Sequence, residues 1–394
     1  MSDTFALIKR EVTRLAPEIT GISRRIFETP ELCFKEKFAA GFLAAALEKE
    51  GFKIKRGKRK LHTAFKATWK GKKNKPVIAI LSEYDALPEI GHACGHNMIA
   101  ASAFGAAVAV KRTLGQGCGT INVIGTPAEE GGGGKLLMIK EGWFKDCDAA
   151  LMVHPSTLNR SVARMLAVME LDFHFYGKAS HAAAHPEKGI NALDGVIALF
   201  SNISAARQQM PDFSRVHGII TKGGDAPNII PERASAKFMV RALTMPEFKT
   251  MLKKVTDCAR GAALSTGCRL KIVKNPLVYH PFEPNRTLGS IFSRFMQKAG
   301  LKESSVSETH GMGSSDIGNL SLVVPSLHPE YGVGGGAVNH SRDFLKAVVS
   351  KHGEANMIKA VTALAATVAE LFNNRFAIRQ VEKEFKIFRQ TNAG

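Results

Sequence analysis

Five residues of types that bind transition metals, Cys94, His96, Glu130, His154 and His340, fall at the ends of short apolar runs or in glycine-rich turns. They sit in Gly91-His92-Ala93-Cys94-Gly95-His96-Asn97, in Thr126-Pro127-Ala128-Glu129-Glu130 and the four glycines after it, in Met152-Val153-His154-Pro155, and in Val338-Asn339-His340-Ser341. A thiolate and imidazoles favour zinc or a neighbouring transition metal, and an added carboxylate can bridge or cap a second ion. The doubled Glu129-Glu130 allows one carboxylate to bind metal while the other moves a proton. Singly, a Cys-Gly-His or a His beside a strand is more often structural. Five in this order, each next to an apolar strand, point to metal-dependent hydrolysis.

The elements that must position these residues alternate. Pro76 to Leu81, Thr120 to Ile124 and Ala149 to Val153 are short apolar runs of strand type, and Asn97 to Leu114 and Lys135 to Glu141 between them have helical character. Such alternation predicts an α/β fold with a mostly parallel sheet flanked by helices. Sites in such sheets gather at the carboxyl ends of the strands, where Asp85, Glu129, Glu130 and His154 fall.

The pattern changes after about Ala163. Glu170 to Tyr176, Arg215 to Thr221, Ala234 to Arg241 and Arg269 to Val273 read as strands, with helices over Ala192 to Met210 and Glu247 to Ser265. That β-α-β-β-α-β order suits an inserted ferredoxin-like α+β domain. From about Pro281 the helix and strand alternation resumes, ending in the apolar-faced helix Ala355 to Leu371. A discontinuous first domain (1–163 and 280–394) interrupted by an insertion (164–279) is therefore expected, as a chain of 394 residues also suggests. Met1 to Arg14 reads as an amphipathic helix and Arg375 to Gly394 as a charged helix with a loose end.

With no basic-plus-apolar leader and no long uncharged apolar run, a cytoplasmic protein without a membrane partner is expected. The six cysteines lack paired short spacings, so they are expected to be free thiols, with Cys94 set apart by its ligand context. The net charge of +19 raises nucleic-acid binding as a reading, because basic residues crowd Lys53 to Lys75. Aromatic stacking partners are sparse there, and a solvated hairpin face is the better account. No nucleic-acid partner is expected, and the charge can instead draw anionic substrates.

On Ser82 to Asn97, Thr126 to Gly134 and Ser314-Ser315-Asp316-Ile317-Gly318, the chain resembles the aminoacylase/carnosinase group of dinuclear metallopeptidases. Within it the chain looks like the amidohydrolase branch of auxin-conjugate hydrolases, aminobenzoyl-glutamate hydrolases and β-alanyl-lysine dipeptidases, from about Ile22 to Leu371. The resemblance implies two divalent ions on Cys94, His96, Glu130, His154 and His340, with zinc first and manganese, cobalt or nickel as alternatives. It implies Glu129 as the general base and Asp85 as the carboxylate that orients a ligand imidazole. The insertion carries Gly177-Lys178-Ala179-Ser180-His181 and Gly223 to Pro231, which resemble the segments with which the family's smaller domain completes the site. These imply substrate contacts for Asn228 and for Arg241, the latter through a substrate carboxylate. They also imply an oxyanion role for His181 in the site of a partner subunit, hence a homodimer joined through the lid-like insertion.

The chain departs from the wider family at Glu83, where many relatives place a metal-binding His, at Cys94 and His154, where many place carboxylates, and at Asn97, an Asp in the auxin-conjugate branch. The expected activity is cleavage of one amide in a dipeptide or N-acyl amino acid. Hydrolysis of an arylamide lacking an amino-acid carboxylate is the alternative enzyme reading.

Overall fold

The computed structural model describes residues 2–391, with Ser2 and Asp3 as backbone only. Two compact units divide the chain: residues 1–164, 283–311 and 319–394 form the first, and 165–282 with 312–318 the second. The segment Met312–Gly318, which sequence alternation leaves with the first domain, clusters with the second unit. Backbone contacts tie it there, Leu166 N–H donating to the Gly313 carbonyl at 2.8 Å.

In the first unit a six-stranded sheet runs in the order Lys53–Arg56, Phe65–Lys70, Thr120–Gly125, Val77–Ser82, Ala149–Leu151, Ser326–Leu327. The last four are mutually parallel, and Phe65–Lys70 alone runs antiparallel to both of its neighbours. Val77–Ser82 and Thr120–Gly125 are buried along their whole length, the continuous apolar character of strands covered on both faces. Lys53, Lys55 and Arg56 are exposed on the edge strand, where charge blocks pairing with another sheet.

The first helix is longer than its sequence signal suggests. It spans Ser2–Phe27, through Pro17, because Ile8, Val12, Leu15, Ile19, Ile22 and Ile26 continue one apolar stripe, all buried. Burial of that face outweighs the backbone hydrogen bond that an interior proline forfeits. The stripe packs on the helix His96–Leu114, which also packs on Lys351–Asn373. By length and composition the latter could cross a membrane, yet 78% of its most apolar window is buried inside the protein, the place of a core helix.

The second unit is an antiparallel sheet in the order Arg269–Lys274, Ala167–Tyr176, Arg233–Ala242, Arg215–Lys222. Its strands alternate, burying Leu171, Phe173 and Phe175 opposite Phe238, Ala236 and Ala234. The helices Ala192–Ala206 and Met245–Thr266 pack on this sheet, the second opened by a capping box between Thr244 and Glu247.

Gly105 lies where the helix His96–Leu114 meets both Ser2–Phe27 and Lys351–Asn373. A Cβ there would lie 2.5 Å from Ile19 Cδ1, 2.8 Å from Ile19 Cγ1 and 3.2 Å from Val361 Cγ1. Replacing an open interior helix glycine by alanine gains roughly 0.5–1 kcal/mol. Gly105→Ala is expected to lose about 1–3 kcal/mol instead, through overpacking. Chemical denaturation decides the sign, and a stabilised variant would refute this packing.

Candidate metal centre and active site

The first unit delivers its polar residues from the carboxyl ends of its parallel strands. Val77–Ser82 runs into Glu83, Tyr84 and Asp85, Thr120–Gly125 into the turn bearing Glu129 and Glu130, and Ala149–Leu151 into His154. Between Cys94 and His96 stands Gly95, at φ 85°, which starts the helix from His96. A Cβ on Gly95 would lie 2.3 Å from Pro155 Cγ, so both the left-handed turn and the space require glycine. His340 is fastened by its backbone N–H, which donates to the Ala93 carbonyl at 2.9 Å.

These elements bring the five sequence-predicted ligands together. Cys94, His96 and His154 form one group whose ligand atoms lie within 4.8 Å of one another, and Cys94, Glu130 and His340 form a second. A third group joins His96 to both Glu129 and Glu130. Cys94 is thus common to two groups. Its sulfur is 3.7 Å from His154 Nε2, and His340 Nε2 is 3.5 Å from Glu130 Oε1.

Asp85 organises this cluster. His96 Nδ1 lies 3.0 Å from Asp85 Oδ1 and 2.9 Å from its backbone carbonyl, so it carries the proton and donates. The other carboxylate oxygen accepts the Glu130 backbone N–H at 3.0 Å. Similarly, His154 Nδ1 donates to the Pro155 carbonyl at 2.7 Å. In the neutral rings both Nε2 lone pairs are then free for a ligand bond.

The electrostatics call for a cation. His96 Nε2 faces Glu83 Oε2 at 3.5 Å and Glu129 Oε2 and Glu130 Oε1 at 3.8 Å each. His96 Nε2, Glu83 Oε2 and Glu130 Oε1 are buried with no hydrogen-bond partner. Burial works against charge on His96, but Cys94 and Asp85 draw its pKa well above the usual imidazole value. Burial pushes the Cys94 thiol far up, with Glu130 adding to the rise. Thiol, imidazole and carboxylates are a donor set suited to a divalent transition metal, whose charge would deprotonate the thiol.

Other elements hold the site from outside. The fully buried Glu36 accepts hydrogen bonds from the backbone N–H groups of Phe34 and Ala128, each at 2.9 Å, and from the Thr63 hydroxyl at 2.8 Å. Ala128 stands at φ 60° immediately before the glutamate pair, so Glu36 secures a strained turn. Burial pushes the Glu36 carboxyl up to about 7. No sequence motif marks Glu36. Asn97 is buried, its amide donating to Ser23 Oγ at 2.9 Å, so it ties the first helix to the ligand-bearing one.

The remaining predicted site residues lie in the second unit, outside the three ligand groups. His181 Nδ1 accepts the backbone N–H groups of Ala183 and Ala184 at 3.3 and 3.1 Å. Its proton therefore resides on Nε2, an available donor. Asn228 is exposed, and its backbone carbonyl accepts from Ala182 N–H at 3.0 Å. Arg241 is half-buried, its guanidinium donating to Ser314 Oγ at 3.2 Å. Among the described residues no carboxylate is paired with it, and burial lowers its pKa. All six cysteines are free thiols.

The family model described as Peptidase family M20/M25/M40 matches residues 79–370. A mouse protein named Xaa-Arg dipeptidase is 38% identical, covering 96% of this chain and 92% of its own length. One component of the p-aminobenzoyl-glutamate hydrolase of Escherichia coli is 35% identical over 77% of this chain and 67% of its own. Among solved structures, a dinuclear metal-binding M20 peptidase from Bacillus subtilis has the same fold, with a TM-score of 0.71 at 20% identity, covering 92% of this chain and 99% of that one.

Proposed function

The chain belongs to peptidase family M20/M25/M40, and on that premise we propose that it hydrolyses the amide bond of a dipeptide or N-acyl amino acid with metal-activated water. The observation that carries this reading is the meeting of Cys94, His96, Glu130, His154 and His340 in overlapping ligand groups, with the further carboxylate of Glu129 3.8 Å from His96. Two divalent ions, zinc first by the thiolate and imidazole donors, would be held by those five residues. Bound there, they supply Lewis acidity and lower the pKa of a water.

The chain's own residues supply the rest. Glu129 takes the proton of the attacking water and passes it to the leaving nitrogen. Asp85, fixed on His96 Nδ1, keeps the Nε2 lone pair directed into the ligand group. His181, with its proton on Nε2, donates to the oxyanion that develops on the scissile carbonyl. Arg241, a half-buried guanidinium without an acidic partner, binds the free carboxylate of the leaving amino acid, with Asn228 as a second polar contact.

A homodimer is part of the reading, with His181 serving the partner subunit. Arg215–Lys222 is an edge strand that exposes Ile219 and Ile220, an unpaired edge with apolar side chains that a second copy could cover.

Glu129→Gln is expected to retain its metal and slow the chemical step by about two orders of magnitude or more. Metal analysis with single-turnover kinetics checks this, and loss of metal instead would exchange the roles of Glu129 and Glu130. Arg241→Ala is expected to lower kcat/KM about ten- to a hundredfold for dipeptides with a free carboxylate, the range of charge-assisted hydrogen bonds, and to leave turnover of their C-terminal amides unchanged. An equal loss on both would remove Arg241 from carboxylate recognition.

A further inference from the structure

Glu83 and Lys135 form an ion pair in the interior of the first unit, and neither belongs to the five ligands. Lys135 Nζ lies 2.5 Å from Glu83 Oε1, and both residues are fully buried. Two such charges are costly to take out of water, and a pair serving packing alone is readily replaced by apolar side chains. This pair has a second connection. The other carboxylate oxygen, Glu83 Oε2, has no hydrogen-bond partner and faces His96 Nε2, itself buried and unpartnered, at 3.5 Å.

We propose that Glu83 is a sixth metal ligand, binding through Oε2 the ion held by His96, while Lys135 holds Oε1. The inference rests on the metal-dependent reading above. Three observations support it. His96 Nε2 and Glu83 Oε2 are both buried and without a hydrogen-bond partner, and they face one another across 3.5 Å, so one cation between them would engage both. The 3.5 Å separation is that of two ligand atoms about one tetrahedral ion, since bonds of about 2.1 Å place such atoms roughly 3.4 Å apart. Finally, Lys135 engages one oxygen of Glu83 and leaves the other for the ion, which fixes the carboxylate as a monodentate donor.

The pair also adjusts the charge of the site. Glu83, Asp85, Glu129, Glu130 and a Cys94 thiolate are five anionic groups, and Lys135 offsets one of them. The remainder matches the charge of two divalent cations.

The test loads the full-length protein with cobalt(II), measures affinity by competition with a chromophoric chelator, and records the visible ligand-field spectrum. Four proteins are compared: wild type, Glu83→Gln/Lys135→Met, Glu83→Asp and Lys135→Met. The double variant removes both charges while keeping their volumes, so no buried charge is left alone. It is expected to bind one cobalt equivalent about tenfold or more weakly, with a shifted spectrum. Glu83→Asp keeps the charge but withdraws the oxygen, and it should weaken the same equivalent, which covers the case of a double variant that does not fold. Lys135→Met is expected to keep both equivalents, because the ion still engages Glu83, and to unfold at a lower temperature once the metal is chelated. Wild-type affinity and spectrum in either Glu83 variant would overturn the proposal and leave the five-ligand site standing. A wild type that binds no cobalt would instead overturn the metal-dependent reading on which the proposal rests.

Discussion

A buried imidazole surrounded by carboxylates is the constraint around which the first unit is organised. Asp85 fixes the His96 proton on Nδ1, and Nε2 then looks at oxygens of Glu83, Glu129 and Glu130 within 3.8 Å. Such an arrangement cannot be offset by water in a site this enclosed; it needs positive charge at its centre. Cys94, itself buried, belongs to two of the ligand groups and gains a favourable thiolate only beside such a charge.

Much of the surrounding fold holds these repelling groups in place. Parallel strands bring Glu83, Asp85, Glu129 and His154 to their shared carboxyl end, and the helix beginning at His96 is clamped between Ser2–Phe27 and Lys351–Asn373. Glu36 fastens the turn before Glu129, and the His340 backbone is bonded to Ala93 beside Cys94. The second unit holds residues of a different kind: an imidazole whose backbone contacts set its tautomer, and a guanidinium with no carboxylate partner among the described residues. These suit substrate recognition and charge stabilisation better than metal binding.

The parts legible in sequence are those written in local pattern. The apolar strands, the small-residue helix after Asn97, the alternating strands of the insertion and the short segments that carry the five ligand-type residues are each marked by a pattern of a few neighbouring positions. What is not legible depends on long-range partners. Glu36 looks like any surface glutamate, yet it reaches residue 128, and Lys135 looks like part of an amphipathic helix, yet it is buried on Glu83. The first helix is expected over Met1 to Arg14 alone, and packing of its apolar stripe against other helices carries it on through Pro17. Met312–Gly318 reads with the first domain but clusters with the second unit, because its partners there, Leu166 and Arg241, lie far away in sequence. Glu83 stands out by its position, but its meaning requires the distances on both of its oxygens.

The central claim is that five residues from separate segments form one dinuclear metal centre built around Cys94. Metal content of the purified protein, measured by elemental analysis on wild type and Cys94→Ala side by side, tests it most directly. The account predicts up to two transition-metal ions per wild-type chain and the loss of at least one, with most of the activity, in the variant. Full metal content together with full turnover in Cys94→Ala would contradict it.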